Sequence, residues 1–124
     1  MCLDGYREIE PEEQEFYKVM WKSCQESCLT GLWHEREYEI GVKYTAEKLS
    51  TWEASSMLTL DYPAGFHGYV LRTHAIRALH EGGGHVIVRC KGTVRGLGDD
   101  LPSPPPLPCV VASDMTILEI IEED

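Results

Sequence analysis

Residues 85–94 read His85-Val86-Ile87-Val88-Arg89-Cys90-Lys91-Gly92-Thr93-Val94. Three β-branched residues in a row followed by alternation predict a strong strand from His85 to Lys91, continuing to Val94. On a strand, alternate residues share a face. Val86 and Val88 therefore take one side, and Arg89 and Lys91 take the other. A strand with so apolar a side needs partners. Phe16–Lys22 and Tyr38–Tyr44 supply two candidates upstream, and Tyr38, Ile40, Val42 and Tyr44 alternate onto one face. Cys109–Ala112 and Met115–Ile121 supply two more downstream.

Just before the strand, Thr73 is a good helix N-cap. Ala75, Ile76, Ala78 and Leu79 follow at helical spacing, and Gly82-Gly83-Gly84 stops the helix. The helix is about two turns long, so packing must hold it. Upstream of it, Pro63-Ala64-Gly65 breaks the chain and Phe66-His67-Gly68-Tyr69 reads as a turn. Residues 45–62 fit a helical turn and then a strand. Residues 96–108 form an irregular, Pro-rich connection. The expected fold is α+β: a small, mostly antiparallel sheet with one or two short helices, in a single domain spanning 1–124.

Charge is distributed unevenly. The 124 residues carry a net charge of −10. Residues 1–15 hold six acids against Arg7, and residues 119–124 hold four acids and no base. The first stretch reads as an acidic arm. Residues 65–98 hold Arg72, Arg77, Arg89, Lys91 and Arg95 against Glu81 alone. The overall balance argues against a long nucleic acid, whose backbone calls for clustered Lys and Arg. No apolar run approaches the ~20 residues of a membrane helix, so no membrane partner is expected. The N-terminus lacks the basic and apolar regions of a signal peptide. Five cysteines, an odd number, then suit reduced thiols in a cytoplasmic protein. Cys90 and Cys109 lie in apolar runs and read as small buried hydrophobes.

Chemistry-bearing motifs are few. Cys24, Cys28 and His34 offer three ligands where a structural zinc takes four, so no metal is expected. There is no nucleophile elbow and no phosphate loop of the Walker type. No cofactor and no catalytic residue are assigned. A binding role remains. Arg72, Arg89, Lys91 and Arg95 would converge near His67 and pair with phosphate oxygens, because the arginine fork meets two oxygens at once. Phe66, His67 or Tyr69 would hold a base or ribose. Ser113 and Thr116 would add hydroxyl hydrogen bonds. The competing reading is that these cations pair with the acidic ends.

Four elements occur in a suggestive order. They are Tyr38-x-x-Gly41-x-x-Tyr44, then Gly65-Phe66-His67 ahead of a helix, then Val86-x-Val88 with Gly92-x-Val94, then Ala112-Ser113-x-Met115-Thr116-Ile117. This order, over roughly residues 16–121, resembles a class of small proteins encoded by phages and prophages. Within that class the chain resembles the first Thoeris anti-defence family. The resemblance implies a non-enzymatic sponge acting in an infected bacterial host. It would bind a cyclic ADP-ribose-type or cyclic oligonucleotide immune signal without cleaving it, as a dimer or higher homo-oligomer. Two other classes compete with it. One is an acidic inhibitor that mimics nucleic acid and binds a basic protein groove, as anti-CRISPR-like proteins do. The other is a transferase-like enzyme acting on NAD or ADP-ribose.

Overall fold

The structure is a computed structural model that describes residues 3–22, 28–31, 37–45, 65–82, 84, 86–100 and 107–123. The strands are β1 (Leu3–Lys22), β2 (Cys28–Gly31), β3 (Glu37–Glu39), β4 (Lys43–Thr45), β5 (Phe66–Tyr69), β6 (Val86–Asp100), β7 (Leu107–Ala112) and β8 (Asp114–Glu123). One helix, α1 (Arg72–Gly82), lies between β5 and β6. The antiparallel sheet and the short helix match expectation. The balance is predominantly β rather than α+β.

Among the described residues the strands form one sheet in the order β3-β2-β1-β5-β7-β6-β8-β4. An additional β1–β6 pairing closes β1, β5, β7 and β6 into a ring. Strand β6 is the hub. One edge pairs with β1 from Met20↔Val86 to Leu3↔Asp100. The other edge is shared: Val86–Lys91 pairs with β8 and Val94–Asp100 with β7. The change of partner falls at Gly92-Thr93. There the Ser113 amide donates to the Thr93 carbonyl at 2.9 Å, and the Thr93 amide donates to Asp114 Oδ1 at 3.1 Å.

The residues of β6 explain this position. Val86, Ile87 and Val88 are all fully buried, so both faces of the strand are covered. Val86, Val88, Cys90 and Val94 point into the ring with Phe16, Met20, Phe66, Met115 and Ile117. Ile87 points the other way, against Ala75 and Leu79 of α1, with Val19, Tyr69, Cys109 and Val111. An antiparallel strand between two apolar layers has no polar face to alternate with. The helix keeps the apolar face read from its spacing. Its first turn differs: His74 and Ala75 donate to the Leu71 carbonyl at 3.1 and 3.3 Å, so the helix opens ahead of Thr73. Gly84 has φ of 107°, the left-handed stop that the glycine run predicts.

Three further readings are corrected. Residues 3–15 are not an arm but the first thirteen of the 20 residues of β1. Acidic residues and Pro11 are poor strand formers, yet β6 supplies the backbone partners and long-range pairing prevails. Pro11 falls within the irregularity between Glu8 and Glu12, where a missing N–H is tolerated. The Pro-rich connection is shorter than 96–108, because β6 runs to Asp100 and β7 begins at Leu107. Tyr38–Tyr44 is not one strand. It turns at Gly41, with φ of 87°, and the Gly41 amide donates to the Ile117 carbonyl at 2.8 Å. Tyr38 and Tyr44 then meet edge to face at 4.8 Å, while Ile40 and Val42 stay exposed. Residues 46–64, which include most of the ambiguous stretch 45–62, lie outside the described residues.

The apolar C-terminal strands are largely buried within this chain. β7 is buried at every position but Pro108, and Met115 and Ile117 of β8 are fully buried. No helix among the described residues is long and apolar enough to cross a membrane.

Candidate functional site

Three of the four cations read from the sequence are each held by a glutamate of this chain, and the fourth, Arg95, is exposed. Phe66, His67, Gly68 and Tyr69 form strand β5 rather than a turn, so their side chains alternate. Phe66 enters the ring core, edge to face with Tyr38 at 6.1 Å. Tyr69 goes to the opposite side, beneath α1. Neither ring is open for stacking. His67 is half-buried, and its carbonyl accepts a hydrogen bond from Lys18 Nζ at 2.6 Å. Ser113 sits at the β7–β8 kink, with Oγ 3.5 Å from the Thr93 carbonyl.

Arg89, Lys91 and Thr116 do share a face. Lys91 and Thr116 are register partners, and Lys43 of β4 is the next across. Arg89 lies two residues before Lys91 on the same side of β6. Glutamates from both acidic ends cover this face. Arg89 Nη1 reaches Glu15 at 2.8 Å and Arg89 Nε reaches Glu119 at 3.3 Å. The hydrogen bond that Arg89 donates to Glu15 holds the guanidinium above its ordinary range, with smaller help from Glu119. Lys91 Nζ stands 3.6 Å from Glu13.

Arg72 is held by a different part of β8. It pairs with Glu122 at 2.9 Å and lies 3.4 Å from the Ile121 carbonyl. Lys22 pairs with Glu123 at 2.9 Å. Arg95 is exposed in the irregular stretch between Val94 and Gly96. The acidic ends thus pair with the basic stretch of their own chain. This was the competing reading of the sequence, and the geometry favours it. Exposed pairs of this kind contribute little to stability and weaken in salt. Their consequence is for binding: a phosphate at Arg89 or Lys91 must displace a carboxylate first.

Sequence reasoning overlooked Lys18. It lies between Phe16 and Met20 in the strand alternation, both fully buried. A lysine on the apolar side of an alternating strand was the available signal. Its amine is desolvated, which lowers its pKa from the ordinary lysine value, while the nearby Cys90 and Cys109 thiols oppose that shift. Burial in turn pushes the Cys90 thiol up to about 12, against a smaller opposing pull from Lys18. Both cysteines are buried and reduced, as read from the sequence. The side chains of Cys24, Cys28 and His34 lie outside the described residues, among which no group of three metal-ligating side chains occurs.

Cys90 gives a measurable pH dependence. An unfolded thiol ionises near its ordinary 9.0, whereas the folded one keeps its proton to about 12. The folded state binds more protons in that window, so stability falls as pH rises through it. Lys18 acts the other way below 10.5, where its folded amine has already released protons that the unfolded chain retains. Above 10.5 the opposing lysine effect fades and the thiol effect prevails. Cys90→Ala should therefore lose less stability than the parent between pH 10.5 and 12, measured by urea unfolding. In the native parent, iodoacetamide at about pH 8 should leave Cys90 unmodified until urea is added.

A scan of protein-family models, a search of curated proteins and a search of solved structures each find no match to this chain.

Proposed function

We propose that this chain is a non-catalytic binding protein that presents an acidic strand to a basic surface of another protein. One observation carries this reading: Arg72, Arg89 and Lys91 are each covered by a glutamate, while Glu8, Glu10 and Glu12 face solvent from an ordered strand. Among the described residues Glu8 and Glu10 make no ion pair, and Glu12 meets only Gln14, at 3.3 Å. Pairing with β6 fixes the backbone that carries these acids. A fixed charge array loses less entropy on binding than a frayed arm does. It also speeds encounter with an oppositely charged groove.

Deleting the ends would not test this, because residues 3–22 and 114–123 are strands of the sheet. Charge neutralisation does. Glu8→Gln/Glu10→Gln/Glu12→Gln is compared with Glu37→Gln/Glu39→Gln/Glu81→Gln, which changes net charge equally. The readout is displacement of fluorescent duplex DNA from basic nucleic-acid-binding proteins. The first variant should lose about tenfold in competing strength, or ~1.4 kcal/mol, and the second should lose little. Equal losses would reduce the effect to net charge and sink the proposal.

Sequestration of a nucleotide signal is the second reading, favoured by the common face of Arg89, Lys91, Thr116 and Lys43. Calorimetry against cyclic ADP-ribose isomers and cyclic di- and trinucleotides separates the two. Heat that disappears in Arg89→Ala supports the nucleotide, and its absence leaves the acidic strand.

A further inference from the structure

The two edges of β1 are used unequally. Tyr17 pairs with Arg89 of β6 and with Tyr69 of β5, and Met20 pairs with Val86 of β6 and with Gly31 of β2. A strand has two edges, so β5 and β2 lie opposite β6. β6 follows its own edge from Met20 back to Leu3. On the opposite edge, among the described residues, nothing pairs with β1 from Leu3 to Phe16. The reason is the path of β5. After Tyr69 the chain stays with β7 instead, and the Val70 amide donates to the Pro108 carbonyl at 3.2 Å.

Glu12–Phe16 is the part of this open edge best formed to receive a strand. Its register to β6 runs unbroken from Glu12 to Met20, whereas shifts interrupt the pairing on the N-terminal side. An unbroken strand points the N–H and C=O groups of alternate residues to each side, so one set here faces away from β6. The side chains decide what can approach. Glu13 and Glu15 lie on one face, against Lys91 and Arg89. Glu12 lies on the other face. Among the described residues Glu12 meets only Gln14, and Glu8 and Glu10 beyond it make no ion pair.

An open sheet edge binds an extended chain through main-chain hydrogen bonds, and alternate side chains set the choice of chain. Charge makes that choice here. A second copy would set carboxylates opposite carboxylates, which is destabilising, whereas lysines or arginines opposite them are stabilising. Resting on the reading of this chain as an acidic binding protein, we propose how its partner is held. A basic, extended segment of that partner pairs by its backbone with Glu12–Phe16 and becomes a further strand of the sheet. Lys or Arg at every second position of the segment faces Glu12 and the glutamates beyond it. The same acids turn away neutral and acidic strands.

The experiment titrates the intact chain with a fluorescent peptide of alternating Lys and Thr, about eight residues long, the length of an ordinary strand. One control is the same peptide N-methylated at every backbone amide, which keeps the charge and removes the main-chain donors. The other alternates Glu and Thr. The Lys peptide should bind, its methylated form should bind at least about tenfold more weakly, and the Glu peptide should not bind. Bound Lys peptide should also slow hydrogen exchange, by at least about tenfold, at those amides of Glu12–Phe16 that face away from β6. Equal affinity of the two Lys peptides overturns strand addition. If Glu8→Gln/Glu10→Gln/Glu12→Gln then weakens both alike, the acidic surface stands without it. Failure of the Lys peptide to bind overturns the proposal as well. So does a free protein that sediments as a dimer with these amides already slow, which would make a second copy the occupant.

Discussion

Gly92→Ala is expected to lower the melting temperature by about 10 °C or more, and to leave the protein largely unfolded if its starting stability is ordinary. A Cβ at this position would meet the carbonyl oxygen of Asp114, close beyond any contact a real Cβ makes. The obstacle is backbone, so no rotamer change relieves it. The strands cannot move apart locally either, because the Ser113 amide is bonded to the Thr93 carbonyl and the Thr93 amide to the Asp114 carboxylate. Overpacking of this kind costs about 3 kcal/mol or more. Against a typical total of about 5–15 kcal/mol, that is a large fraction. Thermal unfolding followed by circular dichroism measures it. A shift of under about 2 °C, less than ~1 kcal/mol for a chain of this size, would show that the crossover is slack.

Phe16 and Gly68 should be coupled. Phe16 is fully buried, and Gly68 is the residue that leaves room for its ring. Phe16→Ala removes an aromatic ring from a closed core and should cost about 3–5 kcal/mol. Gly68→Ala alone drives a methyl into that ring and should cost about 1–3 kcal/mol. In the double variant the methyl enters the space the ring has left. The combined loss should therefore fall short of the sum by at least about 1 kcal/mol. Urea unfolding of the four proteins in one buffer gives the coupling. Simple additivity would mean that the ring and the β5 backbone do not share this space.

Much of the sheet was legible because its signals are local. Val86-Ile87-Val88 announces a strand whatever it pairs with, and Cys109–Ala112 and Met115–Ile121 do the same. The Ala75–Leu79 spacing and the glycine run bound the helix within a residue or two. What was not legible depends on partners distant in sequence. Nothing in Glu8-Ile9-Glu10-Pro11-Glu12 favours a strand, and only β6 makes it one. The candidate site divides in the same way. That Arg89 and Lys91 share a face follows from strand alternation. That Glu13, Glu15 and Glu119 cover them follows from two registers no local pattern encodes. Phe66 and Tyr69 were both offered as holders of a base or ribose at one site. As strand residues three apart they are carried to opposite faces.

The β1–β6 pairing also sets a timetable for the growing chain. Met20 must wait 66 residues for Val86, and Leu3 must wait 97 for Asp100. At ribosomal rates of about 5–20 residues per second, β1 therefore spends seconds outside the ribosome before its partner exists. A sticky strand in that position would find the wrong neighbour. The glutamates and Pro11 that make β1 so unlike a strand are the features that discourage edge-to-edge pairing. They act as gatekeepers during that wait. The acidity of β1 thus disfavours mispairing before β6 has been made.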